Sequence, residues 1–295
     1  VNPAGVPPGR RGRPGTLLPG DRATEKGALL STEETAGAAD DAAGHGPGPH
    51  RAADDATRRG VPRHVACVID GNGRWATRRS LPRSSGHSAA EATVIEVIEA
   101  ARRSGVEWLS LFAFSTENWR RPREEVASLM LLVRRVVRKH APLLHARGVR
   151  CRFLGVTDSR VPAPLARDFA DLTTLTGANR GMTLTVAFDH GGRRDIVEAA
   201  RSLLRAGVPP EAVDERTFAA HLPFPDTPDV DLVIRTSGEQ RISNFMLWQV
   251  AYAELVFPPV LWPDFRAAHF VECLHTYRQR DRRFGGVAPH ANGAT

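Results

Sequence analysis

Three short polar runs hold most of the groups in this 295-residue chain that could do chemistry. The first is Asp70-Gly71-Asn72-Gly73-Arg74-Trp75, followed shortly by Arg83 and His87. Its glycines let backbone N–H groups approach an anion, its arginines supply charge, and the Asp70 carboxylate could hold a hard cation. A tight turn alone would use the same residues. The second run, Ser115-Thr116-Glu117-Asn118-Trp119-Arg120-Arg121, reads as a helix start, with Ser115 capping and Pro122 opening the helix. That reading leaves Trp119 beside two arginines unexplained. In the third run, residues 235–243, Arg235 and Arg241 stand six apart, with Ile242 and Ser243 after the second. Such a pair could clamp a further phosphate group, or simply sit in a solvated loop. Glu254 lies among apolar neighbours, where a carboxylate needs a cationic partner or a metal.

These runs need a scaffold that brings them together. Short apolar stretches at 64–69, 107–114, 149–154, 182–188 and 231–234 predict strands. Helices are predicted over 86–104, 164–175, 195–205, 244–252 and 265–283, with a further long one opened by Pro122 and stopped by Gly148. The expected fold class is therefore α/β, a single domain with a mostly parallel central sheet flanked by helices. Ligands of such sheets bind beyond the carboxyl ends of the strands, where the three polar runs fall.

Composition bounds the rest. Residues 1–60 hold 11 of the 26 glycines, 7 of the 22 prolines and no aromatic residue, and are expected to be a disordered tail. The expected domain is 61–286, with a short flexible terminus at 287–295. Charges cancel within the tail, so the net +7 sits on the domain. Lys26 and Lys139 are the only lysines; arginine, whose planar fork suits phosphate, carries the charge. A nucleic acid, a nucleotide or a diphosphate would fit that charge. No stretch interleaves aromatic with basic residues, so no nucleic-acid partner is expected. The longest apolar run, 129–133, is too short to span a bilayer. Cys67, Cys151 and Cys273 have neither zinc nor disulfide spacing, which fits a reduced, cytoplasmic protein.

Taken together, the ordered blocks are far more specific than any one of them. His64-Val65-Ala66 leads to the Asp70 run, then Leu81-Pro82-Arg83 and Gly86-His87; Ala113-Phe114 leads to the Ser115 run and Arg121-Pro122. The block from Asp231 to Ser243 continues through Asn244-Phe245, Leu247-Trp248-Gln249, Tyr252-Ala253-Glu254 and Leu261-Trp262-Pro263-Asp264-Phe265 to Arg282-Arg283-Phe284-Gly285-Gly286. From about residue 63 to 286 the chain resembles the cis-prenyltransferases, the isoprenyl or undecaprenyl diphosphate synthases.

The resemblance implies a Mg²⁺-dependent transferase that joins isopentenyl diphosphate to an allylic diphosphate, such as farnesyl or geranyl diphosphate, with a cis double bond. It implies Asp70 and Glu254 as metal ligands, and Asp70 and Asn118 as catalytic, Asn118 at the family's proton-acceptor position. Gly71, Asn72, Gly73, Arg74 and Arg83 would line the allylic diphosphate with His87 nearby. Trp75, Ser115, Thr116, Glu117, Trp119 and Arg121 would contact substrate, and Arg235, Arg241, Ile242 and Ser243 would hold isopentenyl diphosphate. It also implies a homodimer, at most peripheral membrane contact for product release, and a hydrophobic tunnel between sheet and helices that Ala113 leaves open. Asn118 is a poor base, so a relay role is expected. Paired aspartates occur only in the tail, which excludes the DDxxD chemistry of trans-type enzymes. Rival readings on the same fold are a synthase of short, branched or cyclic products and a non-catalytic partner subunit; the latter would be expected to lose Asp70 and Arg74. Asp189-His190 departs from the family's more usual Asn-Tyr, and a turn role is expected for it.

Overall fold

Strand β1 (His64–Val68) is buried along its whole length, as a strand with both faces covered must be. In the computed structural model, which describes residues 60–155 and 160–280, it is one of two central strands. Apart from Gly60, the expected tail at 1–60 lies outside the described residues, as do 281–286 and the terminus at 287–295. Strand β1 pairs in parallel with β2 (Trp108–Ser115) on one side and β5 (Leu232–Arg235) on the other. Beyond β2 come β4 (Thr183–His190) and then β3 (Arg150–Leu154); beyond β5 comes β6 (Glu254–Val256). The order is β3-β4-β2-β1-β5-β6, and every pair is parallel. Three polar runs far apart in sequence thus emerge side by side at the carboxyl ends of β2, β1 and β5.

The helices are α1 (Asn72–Thr77), α2 (Arg83–Arg103), α3 (Arg123–Ala146), α4 (Ala163–Thr176), α5 (Gly192–Arg205), α6 (Glu215–Ala220) and α7 (Ala267–Arg278). Alternation along the strands divides the core. Val65, Cys67, Leu109, Leu111, Leu232 and Ile234 face the layer containing Val97 and Ala101 of α2 and Phe270 of α7. Ala66, Val68, Phe112 and Val233 face the opposite layer, with Phe245 and Met246. Each large side chain removed from water in this way contributes about 1.5–3 kcal/mol.

Two buried features of the sheet matter later. His64 donates from Nδ1 to the Pro228 carbonyl and accepts at Nε2 from Ser110 Oγ, at 2.9 and 2.8 Å, the carbonyl fixing the tautomer. Burial pulls its pKa down to about 4. Cys67, Cys151 and Cys273 are buried free thiols. Burial pushes all three up, Cys151 to about 11 and Cys273 to about 12.

The segment expected to be helical at 244–252 is instead a series of turns. Ser243, Asn244 and Met246 have positive φ, and the Asn244 carbonyl and Met246 N–H bond outward, to Gly192 N–H and to His190 Nε2. An α-helix cannot continue through left-handed residues whose backbone groups are engaged elsewhere. The last helix starts at Ala267 rather than 265, after a 3₁₀ turn over Trp262–Asp264. Strand β6 and helices α1 and α6 are additional to the sequence reading.

Candidate active site

The site is built at the end of β1. Gly71 sits at φ +104°, and a Cβ there would lie 2.9 Å from Leu261 Cδ2, so only glycine fits this corner. The corner starts α1 immediately, whose first-turn N–H groups are not used by the helix itself. Asp70 is left at the sheet edge with its carboxylate held from three sides. Oδ1 accepts from Gly71 N–H at 2.6 Å and Arg74 Nη2 at 3.3 Å, and Oδ2 accepts from Arg235 Nη2 at 2.8 Å. Burial alone would raise its pKa; the Arg235 hydrogen bond and charge, with Arg74 and the Gly71 N–H, hold it below the usual carboxylate range.

Arg235, at the end of β5, is buried and organises the third run. Its Nη1 donates to the Arg241 carbonyl at 2.6 Å and to Ser243 Oγ at 2.7 Å. Arg74 also reaches Ser237 Oγ at 2.6 Å and Glu239 at 2.9 Å, and Arg241 pairs with Glu239. The second run leaves β2 as a 3₁₀ turn (Thr116–Arg120), in which Asn118 Oδ1 accepts the Ser115 N–H at 3.1 Å. Glu117 accepts from Asn244 Nδ2 at 3.1 Å. Its pKa lies below the usual carboxylate range: burial would raise it, but hydrogen bonds from its own N–H, Asn244, Ser115 and Thr116 prevail.

These elements enclose a cavity of about 580 Å³ lined by Asp70, Asn72, His87, Ser115, Glu117, Asn118, Arg121, Arg235, Arg241 and Ser243, among others. Three of its residues carry buried polar atoms with no hydrogen-bond partner: Asn72 Oδ1, His87 Nε2 and Arg235 Nε. Such atoms are costly unless a ligand satisfies them. Burial and nearby Arg121 push the His87 pKa down, against the pull of Glu125, whose Oε1 lies 3.6 Å from Nε2. Arg83 stands at the rim, its guanidinium 2.7 Å from where a Cβ on Gly73 would be and 3.5 Å from Glu125.

The residues expected from sequence do not all point here. Trp75 donates to Asp264 Oδ1 at 2.7 Å, and Trp119 to Asp189 Oδ1 at 2.6 Å while packing edge-on against Phe114. Thr116 packs against Gly191, and Ile242 against the Phe245–Met246 cluster. These four are not among the residues lining the cavity, and neither are Gly71, Gly73, Arg74 and Arg83.

Glu254 lies apart from Asp70 within the single chain. It opens β6 in register with Leu232, whereas Val68 is in register with Arg235. That places it about 16 Å below Asp70 along the strand direction, where it pairs with Arg280 at 2.6 Å. One chain therefore does not assemble the Asp70–Glu254 metal pair. Asp70 by itself still suits Mg²⁺, a hard cation that takes one or two carboxylates and completes its shell with water and substrate phosphates. Among the described residues no cluster of three or more His, Cys, Asp or Glu could hold a metal alone.

Below the polar cavity, a second one of about 150 Å³ runs between the sheet and α2 and α3. Ile69, Asn72, His87 and Ala113 line its upper part; Leu111, Val186, Leu184 and Cys151 follow the strands down, facing Val94, Ile95 and Ile98 of α2. Two of its polar residues, Glu91 and His140, join across the helices at 2.9 Å. Val94 and Ile95 of α2 are among the residues turned to this space.

A cationic pocket stacked on an apolar cavity at the carboxyl edge of a parallel sheet defines an enzyme for amphiphilic anions. Residues 68–285 match the family model described as "Putative undecaprenyl diphosphate synthase". The chain belongs to this cis-prenyltransferase family and is a prenyl transferase. It is 49% identical over 237 residues to trans,polycis-polyprenyl diphosphate synthase ((2Z,6E)-farnesyl diphosphate specific) of Thermobifida fusca, covering 79% of this chain and 84% of that one. An isoprenyl transferase of Brucella abortus is 45% identical over 78% of this chain and 92% of its own. Among solved structures, lavandulyl diphosphate synthase from Lavandula x intermedia, in complex with dimethylallyl diphosphate, matches with TM-score 0.73 and 36% identity over 77% of this chain and all (100%) of that one. A "probable undecaprenyl diphosphate synthase" from Campylobacter jejuni gives TM-score 0.65 and 29% identity over 76% of this chain and 98% of its own. Among the described residues no helix is long and apolar enough to cross a membrane.

Proposed function

We propose that the enzyme condenses isopentenyl diphosphate with an allylic diphosphate, farnesyl or geranyl, releasing diphosphate and leaving a cis-polyprenyl diphosphate. The observation that carries this reading is Asp70 held between Arg74 and Arg235, with the orphaned Asn72, His87 and Arg235 atoms beside it and the apolar cavity below. Cleavage of the allylic C–O bond concentrates negative charge on the departing diphosphate. Arg74, Arg83 and the first-turn N–H groups of α1 would meet that charge, Arg74 exchanging contacts with Asp70, Ser237 and Glu239, and Arg83 its contact with Glu125, for diphosphate oxygens. Asp70 would hold Mg²⁺, which when bound neutralises diphosphate oxygens. Arg235, Arg241 and Ser243 would fix the second diphosphate, so that the isopentenyl double bond meets the allylic carbon from the side of Asn118. The Asn118 Oδ1 already accepts the Ser115 N–H, which favours a positioning or relay role over that of a base. The proton lost from isopentenyl C2 would then leave by way of diphosphate oxygen or water.

The apolar cavity would take the growing chain, with Ala113 leaving its upper wall low. The homodimer implied by the family and a peripheral membrane contact for product release belong to the same proposal. The likeness to a lavandulyl diphosphate synthase supports a second reading, a branched or cyclic short product. Product analysis decides: with Mg²⁺, labelled isopentenyl diphosphate and dimethylallyl, geranyl or farnesyl diphosphate in turn, we expect a ladder of cis products. A single short branched or cyclic product would establish the second reading, and no incorporation would leave a non-catalytic subunit.

A further inference from the structure

We propose that the Asp189–His190 pair ending β4 is a positioning device that holds the 116–121 turn and the 241–250 segment in fixed register across the cavity. The inference rests on the condensation proposed above, because those two segments carry Asn118 and the Arg241–Ser243 group.

Asp189 and His190 are both fully buried, and Asp189 has φ +53°, strained for a residue with a side chain. A buried carboxylate persists only if it is paired. Asp189 Oδ2 accepts from Arg194 Nη1 at 3.0 Å, and Arg194 also donates to the Asp189 carbonyl and, at 3.2 Å, to that of Gly155. Its other oxygen, Oδ1, is left to accept the Trp119 indole N–H at 2.6 Å, a charge-assisted bond to the residue next to Asn118. His190 works in the opposite direction. Its Nε2 accepts the Met246 N–H at 3.1 Å, so its proton is on Nδ1, which faces Asp195 Oδ2 at 3.3 Å.

Between these two arms the segments touch directly. Gly192 N–H donates to the Asn244 carbonyl at 2.7 Å and Arg193 N–H to Asn244 Oδ1 at 2.9 Å, while Asn244 Nδ2 reaches Glu117. A Cβ on Gly191 would lie 2.9 Å from Thr116 Oγ1 and 3.0 Å from Asn244 Nδ2, so a larger residue there would push the two side chains apart. Both segments lack a regular ladder of their own, and a buried network of hydrogen bonds and close polar contacts selects one conformation from many. None of these bonds reaches Asp70, Arg74 or Arg83. Loss of the device should therefore impair transfer and capture of the second substrate, and spare capture of the allylic diphosphate.

The test measures kcat, KM for isopentenyl diphosphate, and Kd for geranyl diphosphate by titration calorimetry, in Trp119→Phe, Asp189→Ala and their double variant. Each single change should lower kcat about tenfold, since a displacement of an ångström costs up to a hundredfold. The double variant should be no slower than the slower single, and the Kd should stay within about twofold, as for two residues acting through one bond. His190→Leu should raise KM for isopentenyl diphosphate several-fold, and His190→Gln, whose amide oxygen can accept the Met246 N–H, should restore most of it. If Asp189→Ala fails to fold because Arg194 loses its partner, the Trp119 and His190 variants decide alone. Multiplicative losses in the double variant, a parallel loss of geranyl diphosphate binding, or failure of His190→Gln to improve on His190→Leu would overturn the inference. A wild-type enzyme that does not incorporate isopentenyl diphosphate overturns the condensation reading, and this inference with it.

Discussion

The polar rim and the apolar cavity beneath it are lined partly by the same residues, Asn72, His87 and Ala113 among them, yet they are built on opposite principles. The rim is made of loops with positive-φ residues at Ser237, Ser243 and Asn244, in which nearly every side chain is held by a named partner. The cavity is made of regular helix and strand, where Val94, Ile98, Leu111 and Val186 contribute only shape. In the rim one lost group removes an interaction with charge; in the cavity one changed volume alters what fits. Substitutions in the two regions should therefore fail in different ways.

The sharpest break should come at Asp70. Asp70→Ala removes the proposed metal carboxylate and leaves Arg235 and Arg74 without their shared anion, and kcat should fall by roughly 10³ or more. Titrating Mg²⁺ in steady-state assays checks it, since added metal should not rescue the variant. Asn118→Ala should lower kcat by about 10–100-fold with both KM values nearly unchanged, as expected for a group acting in the transition state. Normal turnover would remove Asn118 from the chemistry. Ala113→Leu probes the other region: product analysis should show shorter chains, while the rate of the first condensation stays within about threefold, overpacking being a local effect. A shortened product with an equally slowed first step would mean that rim and cavity are not separable.

The smallest effect concerns neither region but the sheet below them. His64 is buried neutral with a pKa of about 4, against 6.5 when exposed. Because the folded state binds the proton less readily than the unfolded one, stability is full above pH 6.5 and falls as pH drops toward 4. The loss by pH 4 is on the order of 3 kcal/mol. Urea melts across that interval should show it, and His64→Gln should flatten the dependence.

The rim was largely legible in sequence because its residues carry identifying groups at fixed spacing: Asp70, Arg74, Asn118, Arg235 and Arg241 could be named before the fold. Direction was not legible. Trp75 and Trp119 sit within the motifs, but their indole N–H groups turn toward Asp264 and Asp189, and only the packing of those acceptors reveals it. Residues 244–252 have helical apolar spacing, yet what the backbone bonds to outside its own segment decided against a helix. Glu254 is expected from its motif at the metal, and strand register sets it far from Asp70 of the same chain, a separation no sequence pattern reveals. The cavity entered the sequence analysis only through the family resemblance, because shape has no residue-type signature. His190 carried a signal, an ionisable pair closing an apolar strand, but nothing in the sequence names Met246 N–H as its partner.

The three thiols give the molecule an internal clock. Cys67 lies in central β1, Cys151 in edge strand β3 and Cys273 in α7, each shut from solvent and held as the unreactive thiol. A disulfide reagent in excess can therefore modify each one only when its own element opens, so the three rates separate fraying of β3 and α7 from rupture of the sheet centre. Cys151 also lines the apolar cavity. A long-chain prenyl diphosphate seated there should slow labelling at that position more than at Cys67, reporting how far down the chain reaches without any crystal of the complex.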